Sequence, residues 1–574
     1  MSTLDLFTRE NIAQGLMAAA EEMFYAWGRT SQSSIIYEVL DCACGISDAE
    51  GNLISQANGV TMFMGAVTFA AQAILRKFGK ENLKPGDMFL SNDPYTGSGT
   101  HLNDIAAIMP VFYGGELVAF VVNKGHWNEI GGKQLGSWAK DATEIFQEGL
   151  QLPDIRIYDG GVFNESVRDI IEANTRTPEM AMGELFSQTA ALRTAEARLI
   201  EIFDKYGKSM VLESMQHILD NGYKLALLEI GKLVKGSYEA EDILDTGACG
   251  IGDIKIKAKV TITDEEVIFD FTGTDSAVMA PINCSKYGAY SGARIAYNAL
   301  IAPHASPNEG FYRPLKVIAP EGSLFNAPRP FAVSCNWEAE QMLTDIILKA
   351  MAPALPERIA AGHFLSISGT IIGGTDDRDH KPFVLCEPHA GGWGAGYNKD
   401  GENGLVAISD GETFIIPAEV CEYRYPLRVE QYAIRNETGA GYYVGGRGLI
   451  RDYRITNSNA ALTTLYSRHK SLPWGLQDGQ DGAPNSVEVI RAKDNSVTRS
   501  SVWSNVPLDK GDVVRFTSGS GGGYGNPRRR PAALVLQDWA NDFITDQEAR
   551  EVYGVVIDTA RGLVDEAATN RLRG

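Results

Sequence analysis

Two imidazoles and two carboxylates in the N-terminal part of the chain have the types and grouping to hold a divalent metal ion. His101 and Asp104 stand three apart in SNDPYTGSGTHLNDI, behind a loop carrying Gly97 and Gly99. An apolar stretch, IAAIMPVF, follows, and a second, LVAFVVNKGHW, delivers His126 at its end. An imidazole where a strand runs out beside a glycine is placed as binding residues on loops commonly are. Upstream, Asp41 interrupts an apolar strand, which is costly unless its carboxylate is paired or bound to a cation. Nitrogen ligands favour zinc, manganese or iron over magnesium or calcium, and two carboxylates neutralise a doubly charged ion. Asn123 or Glu129 would then orient the imidazoles from outside the ligand set. The same residues also fit two ordinary hydrogen-bonded histidines and a turn or capping aspartate. Spacing alone does not choose between these readings.

The elements that must position these residues are legible in outline. Ile12, Leu16, Ala19, Met23 and Ala26 recur at intervals of 4, 3, 4 and 3, the apolar stripe of an N-terminal helix. IIYEVLDCACGIS reads as a strand that ends near Asp48–Gly51, and a helix is expected over Thr68–Gly79. Residues 165–235, rich in Ala, Glu and Leu, predict a long helical hairpin broken at Tyr206–Gly207. IKIKAKVTITDEEVIFDFTG alternates as a β-hairpin turning at Thr263–Glu266. A helix follows over Glu338–Ala361, broken by Pro353 and Pro356. Residues 383–526 are β-rich and crowded with glycine. NPRRRP at 526–531 reads as a linker, and Thr545-x-x-Glu548 is a capping box. The expected fold is mixed α/β and multi-domain: a metal-binding α/β part with the helical hairpin (1–235), a β-rich part (236–330), a glycine-rich α/β to β-rich part (331–530) and a helical tail (531–574).

Composition removes several function classes. The chain has 574 residues and a net charge of −21, so nucleic acid and anionic membranes are disfavoured partners. The start, MSTLDLFTRE, does not read as a signal peptide, and no apolar run reaches the length of a membrane span. Seven scattered cysteines without a CxxC pair indicate a reduced, cytoplasmic protein; Cys42 and Cys44 read as small buried hydrophobes. No P-loop, complete dinucleotide fingerprint, nucleophile elbow or HExxH is present. The glycine clusters HAGGWGAG, ETGAGYYVGGRG and SGSGGGYGNP read as tight turns and close-packed backbone rather than phosphate cradles. Of the remaining histidines, His389 beside HAGGWGAG fits a turn or a pocket wall, and His469 reads as solvated.

IIYEVLDCACGISDAEGNLISQ, SNDPYTGSGTHLNDI, GHWNEIGG, PINCSKYGAYSGARIAYN, PAEVCEYRYPLRVEQY, ETGAGYYVGGRGLIRDYRI and SGSGGGYGNPRRRP follow one another along the chain. In these segments, taken in order, the chain resembles the hydantoinase B/oxoprolinase family. The resemblance implies a larger partner subunit of actin-like ATPase fold, which binds ATP and phosphorylates the substrate's carbonyl oxygen. It also implies a divalent metal here on Asp41, His101, Asp104 and His126. The implied activity is ATP-dependent hydrolysis of a cyclic amide (lactam, hydantoin or oxoproline) in a hetero-oligomer, with zinc, or manganese or iron, activating water. Glu129 is a candidate general base. The sequence departs from the common family pattern in GVTMFMG, where Phe63 stands near a usual histidine, and in GHWNEIGG, where Glu129 replaces an aspartate. Met62, Phe63, Met64 and Trp127 would give a less polar pocket. The alternatives are a component of a ketone carboxylase, and a non-catalytic structural subunit.

Overall fold

The expected N-terminal helix runs from Leu6 to Thr30 and buries Ile12, Leu16, Ala19 and Met23. It packs along the helix Pro178–Tyr206, against the first sheet. The computed structural model describes residues 6–245 and 251–574; Met1 to Asp5 and Cys249 lie outside the described residues.

That sheet has seven strands: β1 (Cys42–Asp48), β2 (Leu53–Gln56), β3 (Met88–Ser91), β4 (Asp104–Tyr113), β5 (Glu116–His126), β6 (Ile155–Asp159) and β7 (Val162–Phe163). Their order is β2-β1-β5-β4-β3-β6-β7, and every pairing is antiparallel. β4 and β5 read as unbroken apolar runs because both faces are covered. Ala106, Ile108, Phe120 and Val122 face the helix Val67–Phe78, while Ile105, Ala107, Met109 and Val121 belong to the main core. The Val67–Phe78 helix lies within one residue of its expected limits and stops at Gly79, whose φ of 75° suits glycine.

Two expectations for this part need correction. IIYEVLDCACGIS is not one strand. Ser34–Tyr37 is a turn of helix, Leu40 takes a φ of 62°, and β1 starts only at Cys42, so Asp41 precedes the strand rather than interrupting it. The helical hairpin also differs. Helices do span Pro178–Tyr206 and Lys208–Gly231 with the break at Gly207, but a one-residue joint does not fold them back along each other. The N-terminal helix is the extended partner of Pro178–Tyr206.

A second sheet, β8 (Gly236–Leu244), β9 (Ile254–Ile262), β10 (Val267–Asp270) and β11 (Leu315–Ile318), has the order β11-β10-β9-β8. The β9–β10 hairpin turns at Thr263–Glu266 as expected, with the Thr263 N–H donating to the Glu266 carbonyl. The helix Trp337–Met351 packs on β8 and β9. Its buried acids are all engaged: Glu338 accepts from Ser366 and from the Ser467 N–H, Glu340 from Asn336, and Asp345 from Arg468 and Trp474.

The C-terminal half holds two further sheets: β12 (Thr370–Thr375), β13 (Pro382–Glu387), β16 (Ala460–Leu465) and β19 (Val502–Leu508) in one, and β14 (Leu427–Ile434), β15 (Leu449–Ile455), β17 (Ser486–Ile490), β18 (Val497–Ser500) and β20 (Val513–Thr517) in the other. The glycine clusters lie against one another. Gly392 N–H donates to Gly519 O, Gly521 N–H to Gly446 O, and Gly446 N–H to Trp393 O. A Cβ on Gly521 would fall 2.0 Å from Trp393 O, so backbone packing, not ligand binding, explains the glycine there. NPRRRP is not a free linker: Arg530 is buried and paired with Asp400 and Asp538. The capping box forms, with Thr545 and Glu548 exchanging bonds at the start of a short helix. Among the described residues, no helix is long and apolar enough to cross a membrane.

Candidate metal centre

The register of the first sheet assembles the centre. Asp104 opens β4 and His126 closes β5, and the two are cross-strand partners. β1 lies on the other side of β5 with Cys42 opposite Gly125, so Asp41 arrives next to His126, whose N–H donates to the Asp41 carbonyl. His101 comes from the loop before β4. That loop is tight because Gly99 lies against the Asn92 carbonyl, leaving no room for a Cβ. The glycine serves chain-to-chain packing here rather than an approach to a ligand.

His101, Asp104 and His126 are 4%, 1% and 3% exposed, and one ligand atom of each lies within 4.8 Å of the others. His101 Nε2 is 3.2 Å from Asp104 Oδ1, and the two imidazole centres are 5.2 Å apart. Both nitrogens of His126, and Nδ1 of His101, are buried without a hydrogen-bond partner among the described residues. Such atoms are normally satisfied. Burial, reinforced by His101, lowers His126 to about 3, so its imidazole is neutral, with one ring nitrogen offering a lone pair. Burial would raise Asp104, but His101, Lys124 and His126 outweigh it and hold the carboxyl at about 2. Its Oδ2 accepts from Thr100, whose hydroxyl accepts in turn from buried Lys124 at 3.1 Å.

Asp41 stands outside the three-residue cluster but lines the same cavity. Burial, and then Asp104 and Asp410, push its carboxyl well above the usual range. Two buried carboxyls beside imidazole nitrogens without hydrogen-bond partners form a donor set that a divalent ion fits.

The cavity walls include Phe63, Met62, Trp138 and Trp337, with Glu387, Asp410 and Thr413 from the C-terminal half. Trp138 meets His126 edge-on at 5.8 Å and Trp337 meets His101 at 5.4 Å. The N-terminal part therefore does not build the site alone. Met62 and Phe63 line it as expected; Met64 and Trp127 do not, and the Trp127 indole N–H donates to Gln188 instead.

The outer residues also differ from expectation. Asn123 bonds to Gln188, not to a histidine. Glu129 does not line the cavity. Its carboxylate accepts from Gly131 N–H, the Thr175 hydroxyl, and both the backbone and the guanidinium of Arg176, which leaves no role as a general base. His389 stacks on Phe516 at 4.6 Å, away from the cavity, and His469 lies near Asp245. The six described cysteines are buried.

The sequence reading missed Glu387, Asp410, Trp138 and Trp337. Glu387 carried a signal: like His126, it ends an apolar strand just before a glycine-rich loop. Asp410, in SDGE, carries no such signal, because aspartate before glycine is ordinary turn chemistry.

Comparison with known proteins agrees with this architecture. The family model for hydantoinase B/oxoprolinase matches residues 5–527. A protein of Pseudomonas sp. named as one subunit of a putative D-/L-hydantoinase is 30% identical over all of this chain and 98% of its own length. The caprolactamase beta subunit of Pseudomonas jessenii is 30% identical over the whole of both chains, and the crystal structure of the ATP-dependent caprolactamase from that organism superposes with a TM-score of 0.92 over both full lengths. A nucleotide-free acetone carboxylase, 19% identical, shares the fold with a TM-score of 0.92, over 99% of this chain and 82% of its own. The chain belongs to the hydantoinase B/oxoprolinase family.

Proposed function

We propose that this chain is the ring-opening subunit of an ATP-dependent cyclic amide hydrolase, and that it holds a divalent ion, zinc with manganese or iron as alternatives, on His101, Asp104 and His126 with Asp41 as fourth ligand. The observation that carries the reading is the buried, unpartnered set of imidazole nitrogens beside Asp104. Relatives named as hydantoinase and caprolactamase subunits supply the reaction class.

Amide resonance makes a lactam carbonyl a poor electrophile. A partner subunit of actin-like ATPase type converts it by phosphorylating the carbonyl oxygen, and the activated ring then reaches this cavity. A bound ion supplies Lewis-acid stabilisation of charge on oxygen and lowers the pKa of water. The chain's own residues do the rest. Asp41 and Asp104 balance the ion's charge. The Lys124–Thr100 pair keeps Asp104 ionised and fixes its Oδ2. Phe63, Met62, Trp138 and Trp337 exclude bulk water and pack on the hydrocarbon of the ring.

The test is to purify this chain with its ATPase partner and assay ATP hydrolysis and ring opening with lactams, hydantoins and 5-oxoproline. A parallel assay supplies ketones and bicarbonate. Ring opening that needs ATP and is lost on chelation supports the proposal. Bicarbonate-dependent consumption of a ketone without ring opening replaces it with a carboxylase, and turnover with neither class overturns it.

A further inference from the structure

Glu387 ends β13 on the cavity wall supplied by the C-terminal half. Its two carboxyl oxygens are in different situations. Oε2 accepts from the Ile416 N–H at 3.2 Å and faces the Arg451 guanidinium at 3.8 Å. Oε1 is buried and has no partner among the described residues. Arg451 is itself fixed by donating to the Ile416 carbonyl. The side chain is thus anchored through one oxygen while the other stays uncommitted in the same cavity as the metal cluster.

Resting on the hydrolase reading, we propose that Glu387 Oε1 delivers the proton to the ring nitrogen as the C–N bond breaks. Ring opening has a specific need for such a group. Water adds to the carbon of the O-phosphorylated ring, and the nitrogen takes one of its protons. The tetrahedral carbon then carries a hydroxyl, a phosphate ester and the ring nitrogen. Phosphate is the better leaving group. If it departs, the lactam re-forms and the ATP is wasted. If the nitrogen takes a second proton from Glu387 as the C–N electron pair moves onto it, the ring opens to a free amine and an acyl phosphate. The hydroxyl proton released as the carbonyl re-forms restores Glu387. A second water then cleaves the acyl phosphate to carboxylate and inorganic phosphate. The proton donor therefore decides which bond breaks. Burial raises Glu387 while Arg451 and the Ile416 N–H oppose it, giving a value of about 7, so the protonated carboxyl is populated near neutrality.

The experiment uses the complex with its ATPase partner and the lactam that the wild type opens best, in water labelled with oxygen-18. For Glu387→Gln, ADP released per ring opened rises at least about tenfold, a lower bound beneath the roughly 100-fold or more that a positioned proton donor contributes. The recovered lactam also gains label at its carbonyl, because the oxygen that leaves with phosphate is the original one. Metal content, measured alongside, stays at the wild-type level. Glu387→Asp, which keeps the acid but withdraws it, gives an intermediate ratio and carries the test if the Gln variant does not assemble. A wild-type ratio and no label in both variants overturns the assignment, as does uncoupling by Asp410→Asn but not by Glu387→Gln. ATP turnover by the wild type with no ring opened overturns the hydrolase reading and this assignment together; normal ring opening with unchanged coupling in the variants overturns the assignment alone.

Discussion

Asp104 and His126 are direct cross-strand partners at the open end of the β4–β5 ladder, the first residue of one strand opposite the last of the other. The pair is set by backbone register, and slipping a strand by one residue would turn these side chains to opposite faces. These two side chains are therefore positioned by the sheet itself, while His101 and Asp41 come from the segments that adjoin it.

Replacing either imidazole should remove the ion while leaving the sheet intact. His126→Ala and His101→Ala are expected to weaken metal binding by at least about 100-fold, since each deletes a donor from a small ligand set. Competition with a chromophoric chelator measures the affinity, and circular dichroism checks the fold. Wild-type affinity in both variants would remove these residues from the ligand set.

Glu129 should matter for stability and not for metal. Glu129→Ala leaves the backbone N–H of Gly131 and Arg176 without their acceptor and breaks a half-buried ion pair. The expected loss is about 2–3 kcal/mol in urea unfolding, with metal stoichiometry unchanged. Loss of metal without loss of stability would return Glu129 to the site.

His363 should make the protein acid-sensitive. It is buried 3.8 Å from Asp345; burial, with Arg468 adding to it, lowers its pKa to about 4 against an ordinary 6.5. The unfolded chain takes up a proton below pH 6.5 that the folded chain refuses until about pH 4. The contribution is complete above pH 6.5 and is lost as the pH falls to about 4, on the order of 3 kcal/mol. His363→Asn should therefore show a shallower fall in stability across that window. Parallel curves for the two proteins would refute the shift.

The glycine layer should tolerate no side chain where its backbones touch. A Cβ on Gly521 meets the carbonyl oxygen of Trp393 at 2.0 Å, whereas one on Gly161 meets nothing within 4 Å and costs only its φ of 85°. Gly521→Ala is expected to destabilise by at least about 3 kcal/mol and Gly161→Ala by about 1–2 kcal/mol. Equal melting temperatures for the two variants would contradict the packing account.

Local elements and most of the centre were legible in the order of residues. Periodicity marked the N-terminal helix, the helix ending at Gly79, the break at Gly207 and the β9–β10 hairpin, because each depends on residues close in the chain. Asp41, His101, Asp104 and His126 could be gathered as candidates because acids and imidazoles at or beside the ends of apolar strands are costly wherever the strands pack. What surrounds them emerged with the packing of distant elements. It placed Glu129 on Arg176 and Asn123 on Gln188, and it brought Glu387 and Asp410 to the centre from more than two hundred residues away. A carboxylate's partner is set by which chains pack against it, and that depends on sheet register and long-range burial, which no local spacing records.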